Sequence, residues 1–361
     1  MSNVGIAGQS RPEDEKAAGR RRINRATELI LITLVVILLA ALGSHLVVSW
    51  LGIRSGWGEH RVAGTEWNKP LANVAGSSLL GDALDVQLAC RTLEQGMQTW
   101  FVAGSSPAEW VELQSRAPDA KLTIIGISAY DMNEHFLCDY RPDVVPLSHT
   151  IRDLIQSHSS WAFGKRVVSQ YPVTRLRALF PTLGRSAGVT GGIRDHFEKF
   201  VRPGTKVESE AGPTAADWGG VVVDPTRLER ISNWSPAYML RRLTKMKSAC
   251  QGQHSYDGPK RIALQRMLEQ ARRQGEVVVL VLPVSPAYQA EFLDAETKRK
   301  FEETVAEHQR ADPGVRWLRV DQIPELNTND VFWDVVHMNV YGKKISTEHI
   351  LAWMKANAAR P

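Results

Sequence analysis

The sequence is poor in cysteine and lacks the motifs that bind the common cofactors. Its 361 residues include three cysteines, Cys90, Cys138 and Cys250, and an odd number at irregular spacing argues against a disulfide framework. One disulfide with one thiol left over stays open, but buried thiols are the expected state. The chain also lacks an internal repeat, a phosphate-binding loop, a dinucleotide fingerprint and a metal-ligand cluster. We therefore predict neither a cofactor nor a metal.

One apolar run is long enough to cross a membrane. Residues 29–51 are almost entirely apolar, and a helix of that length spans the hydrocarbon core of a bilayer. A cluster of four arginines lies just before the run, at Arg20, Arg21, Arg22 and Arg25. Positive residues on one side of a membrane helix indicate the cytoplasmic side. The run is too long for a typical signal peptide and no small-residue cleavage site closes it, which favours an uncleaved anchor over a cleaved signal.

These features predict a single-pass protein of the bacterial cytoplasmic (inner) membrane. Residues 1–28 would form a disordered cytoplasmic tail, residues 29–51 the transmembrane helix, and residues 52–70 a linker. Residues 71–361 would form one periplasmic or extracellular domain, and a hydrophobic content of 43% suits a globular core. The external placement argues against a nucleic-acid partner in spite of an isoelectric point near 9.1.

The proposed external domain alternates between strand and helix patterns. Strands are predicted at 71–76, 98–103, 121–127, 276–283 and 315–320, and helices at 79–95, 107–115, 259–274, 295–309 and 340–356. This alternation predicts an α/β fold with a parallel sheet and helices on both faces. In such sheets the functional site lies beyond the carboxyl ends of the strands.

An Asp-x-x-His pair lies close to the C-terminus, at Asp334 and His337. A carboxylate at this spacing can orient the imidazole and stabilise its protonated form, as a general base requires. The spacing is common by chance, so it gains meaning only if the same domain supplies a suitable nucleophile.

A candidate nucleophile follows the first predicted strand, in the segment Gly76-Ser77-Ser78. The segment marks a sharp exit from a strand into a helix, where backbone N–H groups without helical partners surround the hydroxyl. Either serine taken alone is more often a helix N-cap. The Asp334–His337 pair shifts the interpretation towards a serine nucleophile.

The two ends of the domain together resemble the SGNH (GDSL-type) hydrolase superfamily. In that superfamily the nucleophile follows the first strand and an Asp-x-x-His motif precedes the last helix. The resemblance covers residues 71–135 and 259–355, and it implies a three-layer α/β/α, flavodoxin-like parallel sheet. It matches Ser78 to the nucleophile, with His337 and Asp334 as its catalytic partners.

A second segment, Gly81-Asp82-Ala83-Leu84, looks like the family signature with alanine in place of serine. We reject it because the nucleophile should follow the strand directly and the predicted strand ends at Gly76. If this segment were the true match, the site would lack its nucleophile.

The resemblance also implies three oxyanion-hole residues. Gly104 follows the second predicted strand, where glycine lets the backbone approach a reacting centre; an ordinary strand-to-helix turn is the alternative. After the third strand Ser128 stands where the family has asparagine. Either the Ser128 hydroxyl or the nearby Asn133 amide would have to supply that donor, and the sequence leaves the choice open.

Residues 141–250 interrupt the alternation with amphipathic, arginine-rich segments and match nothing in the family. They hold 17 Lys/Arg against 9 Asp/Glu, a surplus of +8 in a chain of net charge +5. We interpret them as a helical insertion. Its basic charge is either an ordinary solvated surface or a surface for anionic glycans, lipid headgroups or a membrane partner.

The segment Leu282-Pro283-Val284-Ser285 after the central strand narrows the resemblance. It is similar to a membrane-anchored branch of the superfamily that includes the D-alanyl transfer protein of teichoic-acid modification. That likeness implies a serine esterase or O-acyltransferase acting on an acylated surface polysaccharide or cell-wall polymer, beside a membrane-bound O-acyltransferase partner. Two alternatives stay open, a carbohydrate O-acetylesterase with the same triad and a non-catalytic envelope scaffold of the same fold.

Overall fold

The computed structural model describes residues 27–40, 42–43, 59–63, 71–101, 104–115, 120–136, 144–171, 222–224, 229–231, 236–250 and 253–357. The chain divides into two compact units. The first comprises Met1–Ser55 and Leu176–Val207, and the second comprises Gly56–Arg175 and Glu208–Pro361.

In the first unit the described residues form a helix, α1, over 27–40, and 42–43 are also helical. Its large apolar side chains are exposed. Within the part of the chain that the structure describes, no helix is both long enough and apolar enough to span a bilayer. The predicted span 29–51 extends beyond this helix into residues 44–51, which lie outside the described residues.

The second unit is built on a six-stranded sheet, and a separate two-stranded hairpin accompanies it. The strands are β1 (Glu59–Ala63), β2 (Ala72–Gly76), β3 (Met97–Phe101), β4 (Leu122–Ser128), β5 (Val222–Asp224), β6 (Glu229–Ile231), β7 (Glu276–Leu282) and β8 (Arg316–Arg319). The order in the large sheet is β1-β3-β2-β4-β7-β8. Its last five strands are mutually parallel, whereas β1 pairs antiparallel with β3. Counted along the chain, the parallel strands run 2-1-3-4-5, a common order of doubly wound sheets.

Helices cover both faces of this sheet. The described helices of this unit are α2 (Ser78–Ala83), α3 (Val86–Leu93), α4 (Pro107–Gln114), α5 (Leu147–Gln156), α6 (Trp161–Val168), α7 (Pro236–Ala249), α8 (Pro259–Gln274), α9 (Pro286–Phe292), α10 (Ala295–Ala311) and α11 (Val340–Asn357). Side chains of α2, α3, α9 and α11 share one core with one face of the sheet, and those of α4, α8 and α10 share the other.

Strand β7 explains why two cores form. Its side chains alternate between the faces, so that Leu280 lies in the first core and Val279 and Val281 lie in the second. A strand that is buried on both sides reads as a continuous apolar run, as Glu276–Leu282 does. The prediction of an α/β fold with a parallel sheet and helices on both faces is confirmed.

Three elements differ from the sequence-based expectation. The single helix predicted at 79–95 is wrong, because Leu84 is extended and Asp85 caps a new helix by accepting the Leu88 N–H at 2.9 Å. Residues 59–63, which we assigned to a linker, form the edge strand β1. Helix α9 was not predicted, and it begins where the Ser285 hydroxyl accepts the Tyr288 N–H at 3.1 Å.

The predicted insertion, 141–250, is described in four parts. Helices α5 and α6 follow β4, the hairpin β5–β6 comes later, and α7 leads into α8. Residues 172–221 lie outside the described residues. Of the cysteines, Cys90 and Cys250 are buried thiols outside any disulfide, as expected, and Cys138 also lies outside the described residues.

Candidate active site

The strand-to-helix turn after β2 separates the roles of its two serines. Ser77 is 1% exposed and is the N-cap of α2, where its hydroxyl accepts the Leu79 N–H at 3.1 Å. Ser78 is the first residue of the helix and is partly exposed. The N-cap interpretation therefore applies to Ser77, and Ser78 is the serine that is presented to the site.

A tight hairpin carries the Asp334–His337 pair. The Trp333 N–H donates to the His337 carbonyl at 2.9 Å, and Phe332 pairs with Met338 in an isolated bridge. The hydroxyl of Ser285, which follows β7, donates to the carbonyl of Val335 at 2.8 Å. The end of a central strand thus holds the hairpin in place.

The helix that follows the hairpin is fixed by the asparagine and glycine of the same motif. The side-chain oxygen of Asn339 accepts the N–H groups of Tyr341 and Gly342, at 2.9 and 3.1 Å. Gly342 packs against the Val331 carbonyl so closely that a Cβ atom there would overlap with it. The hairpin therefore enters α11 at one defined angle.

These elements bring Ser78, His337 and Asp334 into one hydrogen-bonded chain. The Ser78 Oγ lies 2.8 Å from His337 Nε2. The His337 Nδ1 lies 2.9 Å from each carboxylate oxygen of Asp334. With the proton on Nδ1, the ring donates to Asp334 and its Nε2 accepts the Ser78 hydroxyl. This is the arrangement in which histidine can act as a general base.

Asp334 is fully buried, but its carboxylate accepts several hydrogen bonds from neighbouring groups. One oxygen accepts the N–H groups of Val336 and His337, both at 2.8 Å, and the other accepts Arg242 at 2.9 Å. Burial alone would raise the pKa of Asp334, but His337, Arg242 and the backbone donors outweigh it and hold that pKa well below its ordinary value. The carboxylate is therefore ionised throughout the physiological range.

The Asp334 carboxylate also shifts the pKa of His337. Burial would lower the pKa of His337, but the neighbouring Asp334 raises it above the ordinary value. The His337 side chain is 16% exposed, so a substrate can reach the ring edge. A histidine that takes a proton readily and can be reached from solvent suits proton transfer at Ser78.

Asp82, from the segment that we rejected as the nucleophile block, contributes to the site in another way. It lies one turn after Ser78 on α2, and its carboxylate accepts the indole N–H of Trp333 at 3.1 Å. The Trp333 ring stacks on His337, with ring centroids 5.1 Å apart and planes at 21°. The segment is part of the site although it holds no nucleophile.

Two backbone N–H groups stay as oxyanion candidates. In the described turn after β2, the Leu79 and Leu80 amides are bonded to Ser77, which leaves the Ser78 amide. Gly104 lies three residues beyond β3, whose end is in register with the end of β2. Its φ of 65° is in the region that glycine adopts without strain.

The structure does not support Ser128 and Asn133 as oxyanion donors. The Ser128 hydroxyl donates to Asp131 at 2.8 Å and is fully buried. The Asn133 amide donates to the Gln253 carbonyl at 3.4 Å, and its oxygen accepts the His135 and Ser255 N–H groups. Both side chains are used to shape the loop after β4, so the third donor expected from the family pattern is not found at either residue.

A buried lysine explains why this loop is so firmly held. Lys260, at the start of α8, is fully buried and donates to the carbonyls of Asp131, Asn133 and Phe136 at 3.2, 2.8 and 3.3 Å. Glu134 in turn accepts the Lys260 backbone N–H at 2.8 Å. These hydrogen bonds hold the backbone of the loop in place, so its side chains are not free to turn towards Ser78.

Sequence reasoning missed Arg242, which lies 92 positions before Asp334 in the insertion. The only signal was the arginine-rich segment that became α7, and no spacing rule connects it to Asp334. Among the described residues, no cluster of three or more His, Cys, Asp or Glu side chains could hold a metal ion. Comparison of the chain with protein-family models and with curated proteins found no match.

Proposed function

We propose that this chain is a membrane-anchored, extracytoplasmic serine esterase or O-acyltransferase of the SGNH type. Its substrates would be acyl esters of a cell-surface polysaccharide or cell-wall polymer. The observation that carries the proposal is the continuous chain from Ser78 through His337 to Asp334, with contacts of 2.8 and 2.9 Å.

In the first half-reaction His337 Nε2 takes the Ser78 proton while Oγ attacks the acyl carbonyl. The carbonyl oxygen becomes an oxyanion, which the Ser78 and Gly104 amides would stabilise; one good donor contributes about 3 kcal/mol. When the intermediate collapses, the ester C–O bond breaks and the imidazolium of His337 protonates the leaving alcohol. The products are a free alcohol and an acyl ester on Ser78.

In the second half-reaction an acceptor hydroxyl takes the place of the alcohol that has left. His337 removes its proton and the acceptor oxygen attacks the acyl carbon of the Ser78 ester. The bond from that carbon to Ser78 Oγ then breaks, and Oγ regains its proton from His337. Water as the acceptor gives hydrolysis, whereas a sugar hydroxyl gives acyl transfer. Asp334 stabilises the imidazolium in both steps and stays ionised.

The fold supports the assignment to the SGNH type. The 2-1-3-4-5 order of the parallel strands is the flavodoxin-like order, which the resemblance implies. Ser78 and Gly104 follow two adjacent strands of this sheet. The engaged side chains of Ser128 and Asn133 depart from the family pattern, and we therefore assign the oxyanion hole to backbone amides alone.

The membrane anchor and the partner rest on the N-terminal segment. Helix α1 exposes a continuous set of large apolar side chains, and the arginine cluster at 20–25 directly precedes it in sequence. We assign residues 29–51 to a single span with the N-terminus in the cytoplasm. A membrane-bound O-acyltransferase beside it would supply the acyl group, and the surface polymer would receive it.

The test is labelling of intact cells with a serine-directed fluorophosphonate that does not cross the inner membrane. We expect the wild type to be labelled. Ser78→Ala should abolish labelling, and His337→Ala should slow it severely because the hydroxyl loses its base. Ser77→Ala is the matched control, since it removes only a helix cap, and it should leave labelling intact.

Each departure from this pattern has a definite meaning. Labelling that survives Ser78→Ala would refute Ser78 as the nucleophile. Labelling that appears only after lysis would contradict the external location. A folded wild type that is never labelled would overturn the enzymatic proposal and favour the scaffold. Turnover of soluble acetyl esters without any partner would identify the O-acetylesterase alternative.

A further inference from the structure

The insertion reaches the candidate active site through one residue of α7. Arg242 donates to Asp334 at 2.9 Å, and its side chain is 31% exposed while the carboxylate is fully buried. Met239 and Leu243 of the same helix pack on the first core, and Met246 is buried within it. The apolar face of α7 therefore holds the helix against the first core, and Arg242 projects from that helix.

A second group approaches His337 from the serine side. Asp82 and Ser78 belong to the same short helix, and Asp82 accepts the Trp333 indole N–H at 3.1 Å. Trp333 is 5% exposed and lies parallel to the His337 ring. The indole thus links the orientation of the imidazole to the helix that carries the nucleophile.

We propose that Arg242 and the Asp82–Trp333 pair are positioning residues for His337 and Asp334, one acting from the insertion and the other from the serine helix. Arg242 holds the second oxygen of Asp334, the one that its backbone donors do not use. Trp333, anchored by Asp82, holds the plane of the His337 ring so that Nε2 faces Ser78. The proposal deepens the proposed function and rests on it.

The two positioning groups act on His337 with opposite charge. The charged groups that face the ring are Asp334 from its own hairpin, Asp82 from α2 and Arg242 from α7. Burial lowers the pKa of His337, and Arg242 lowers it further, whereas Asp334 and Asp82 raise it. Loss of the arginine charge should therefore raise the pKa of His337, and loss of the Asp82 charge should lower it.

The experiment is a titration of the His337 imidazole by NMR in the full chain, with isotope-labelled histidine and His337→Gln for assignment. Arg242→Gln should move the midpoint up and Asp82→Asn should move it down, each by at least about half a pH unit. Asn keeps an acceptor for the Trp333 N–H, so Asp82→Asn changes mainly the charge. Arg242→Lys keeps the positive charge, so the His337 midpoint should lie close to its wild-type value.

Arg241→Gln is the matched control. Arg241 is the neighbour of Arg242 on the same helix but lies on its outer, exposed face, so its loss should leave the His337 midpoint unchanged. Both variants remove one positive charge from α7, and only a specific contact with the Asp334–His337 pair can separate them.

The titration does not depend on enzymatic activity, so this inference and the proposed function fail separately. Opposite shifts in Arg242→Gln and Asp82→Asn, with none in Arg241→Gln, would support the positioning role. Unchanged midpoints, or shifts in the same direction, would overturn it even if Ser78 is labelled. If Ser78 is not labelled but the opposite shifts are found, the positioning role stands and the enzymatic proposal falls.

Discussion

Among the described residues, two ion pairs between an arginine and a buried aspartate join the insertion to the α/β domain. At the first, Asp153 of α5 accepts Arg266 of α8 at 2.5 Å. At the second, Asp334 accepts Arg242 of α7 at 2.9 Å. The two carboxylates are 1% and 0% exposed. In burial and in the type of partner the two attachments are nearly alike.

The two attachments differ in the other groups that contact the carboxylate and in its pKa. Asp334 also receives two backbone N–H groups and the His337 ring, and its pKa lies far below the ordinary value in spite of burial. For Asp153 burial is the largest influence, and Arg266 and Arg152 do not overcome it, so its pKa is raised. Two neighbouring arginines are therefore not enough to hold the pKa of this buried carboxylate at its ordinary value. The number of donors separates a structural attachment from a site that can hold a charge for chemistry.

The largest difference between the two pairs should appear in the reactivity of Ser78. Asp334→Asn should slow fluorophosphonate labelling by about a thousandfold or more, because the amide no longer stabilises the imidazolium or fixes its tautomer. Asp153→Asn should leave the labelling rate within about twofold, since Asp153 contacts neither Asp334 nor His337. The measurement is the second-order labelling rate at neutral pH. Equal effects in the two variants would mean that Asp334 acts only as an attachment of the insertion.

The parts of this fold that follow from local rules could be predicted from sequence. The apolar run Glu276–Leu282, the Pro-initiated helix Pro259–Gln274 and the final helix all lie within a few residues of the expected positions. The spacing from Asp334 to His337 identified a real contact because three residues are enough to close the hairpin. Such features depend on periodicity and short-range geometry, which a single sequence contains.

What the sequence did not reveal depends on distant residues. Arg242 meets Asp334 only because α7 packs on the first core, and Asp82 meets Trp333 across 251 positions. A related reason separates Ser128 and Asn133 from the role that the family pattern gives them. Ser128 is bonded to Asp131 in its own loop and Asn133 to Gln253, and Lys260 of a distant helix holds the loop after β4 in place. Pattern matching assigns a role to a position and cannot see which partner already occupies the side chain.

A smaller difference between the two ion pairs should appear in stability. Here we expect the larger effect at the Arg266–Asp153 pair. Arg266→Gln should lower the free energy of unfolding by about 3 kcal/mol, because it leaves the buried Asp153 with only the looser Arg152 contact, at 3.5 Å. Arg242→Gln should cost about 1 kcal/mol, since Asp334 keeps His337 and two amides. Urea unfolding of the full chain, followed by tryptophan fluorescence, measures both. A larger loss for Arg242→Gln would show that α7, and not α5, is the main attachment of the insertion.

The smallest effect concerns the pH dependence of the same attachment. The raised pKa of Asp153 means that the folded state binds its proton more tightly than the unfolded state. Its favourable contribution is therefore complete below the ordinary value of 3.8 and is lost as the pH rises through the pKa of the folded state. Asp153→Asn cannot titrate, so the stability of the wild type relative to this variant should fall as the pH rises from about 3.5 towards neutrality. Asp334, whose pKa is lowered, makes the opposite contribution, but it is present in both proteins and cancels in the difference.

Urea midpoints of the two proteins across this range give the measurement. A relative stability that stays constant or rises with pH would show that folding does not raise the pKa of Asp153, and the contrast between the two attachments would no longer hold.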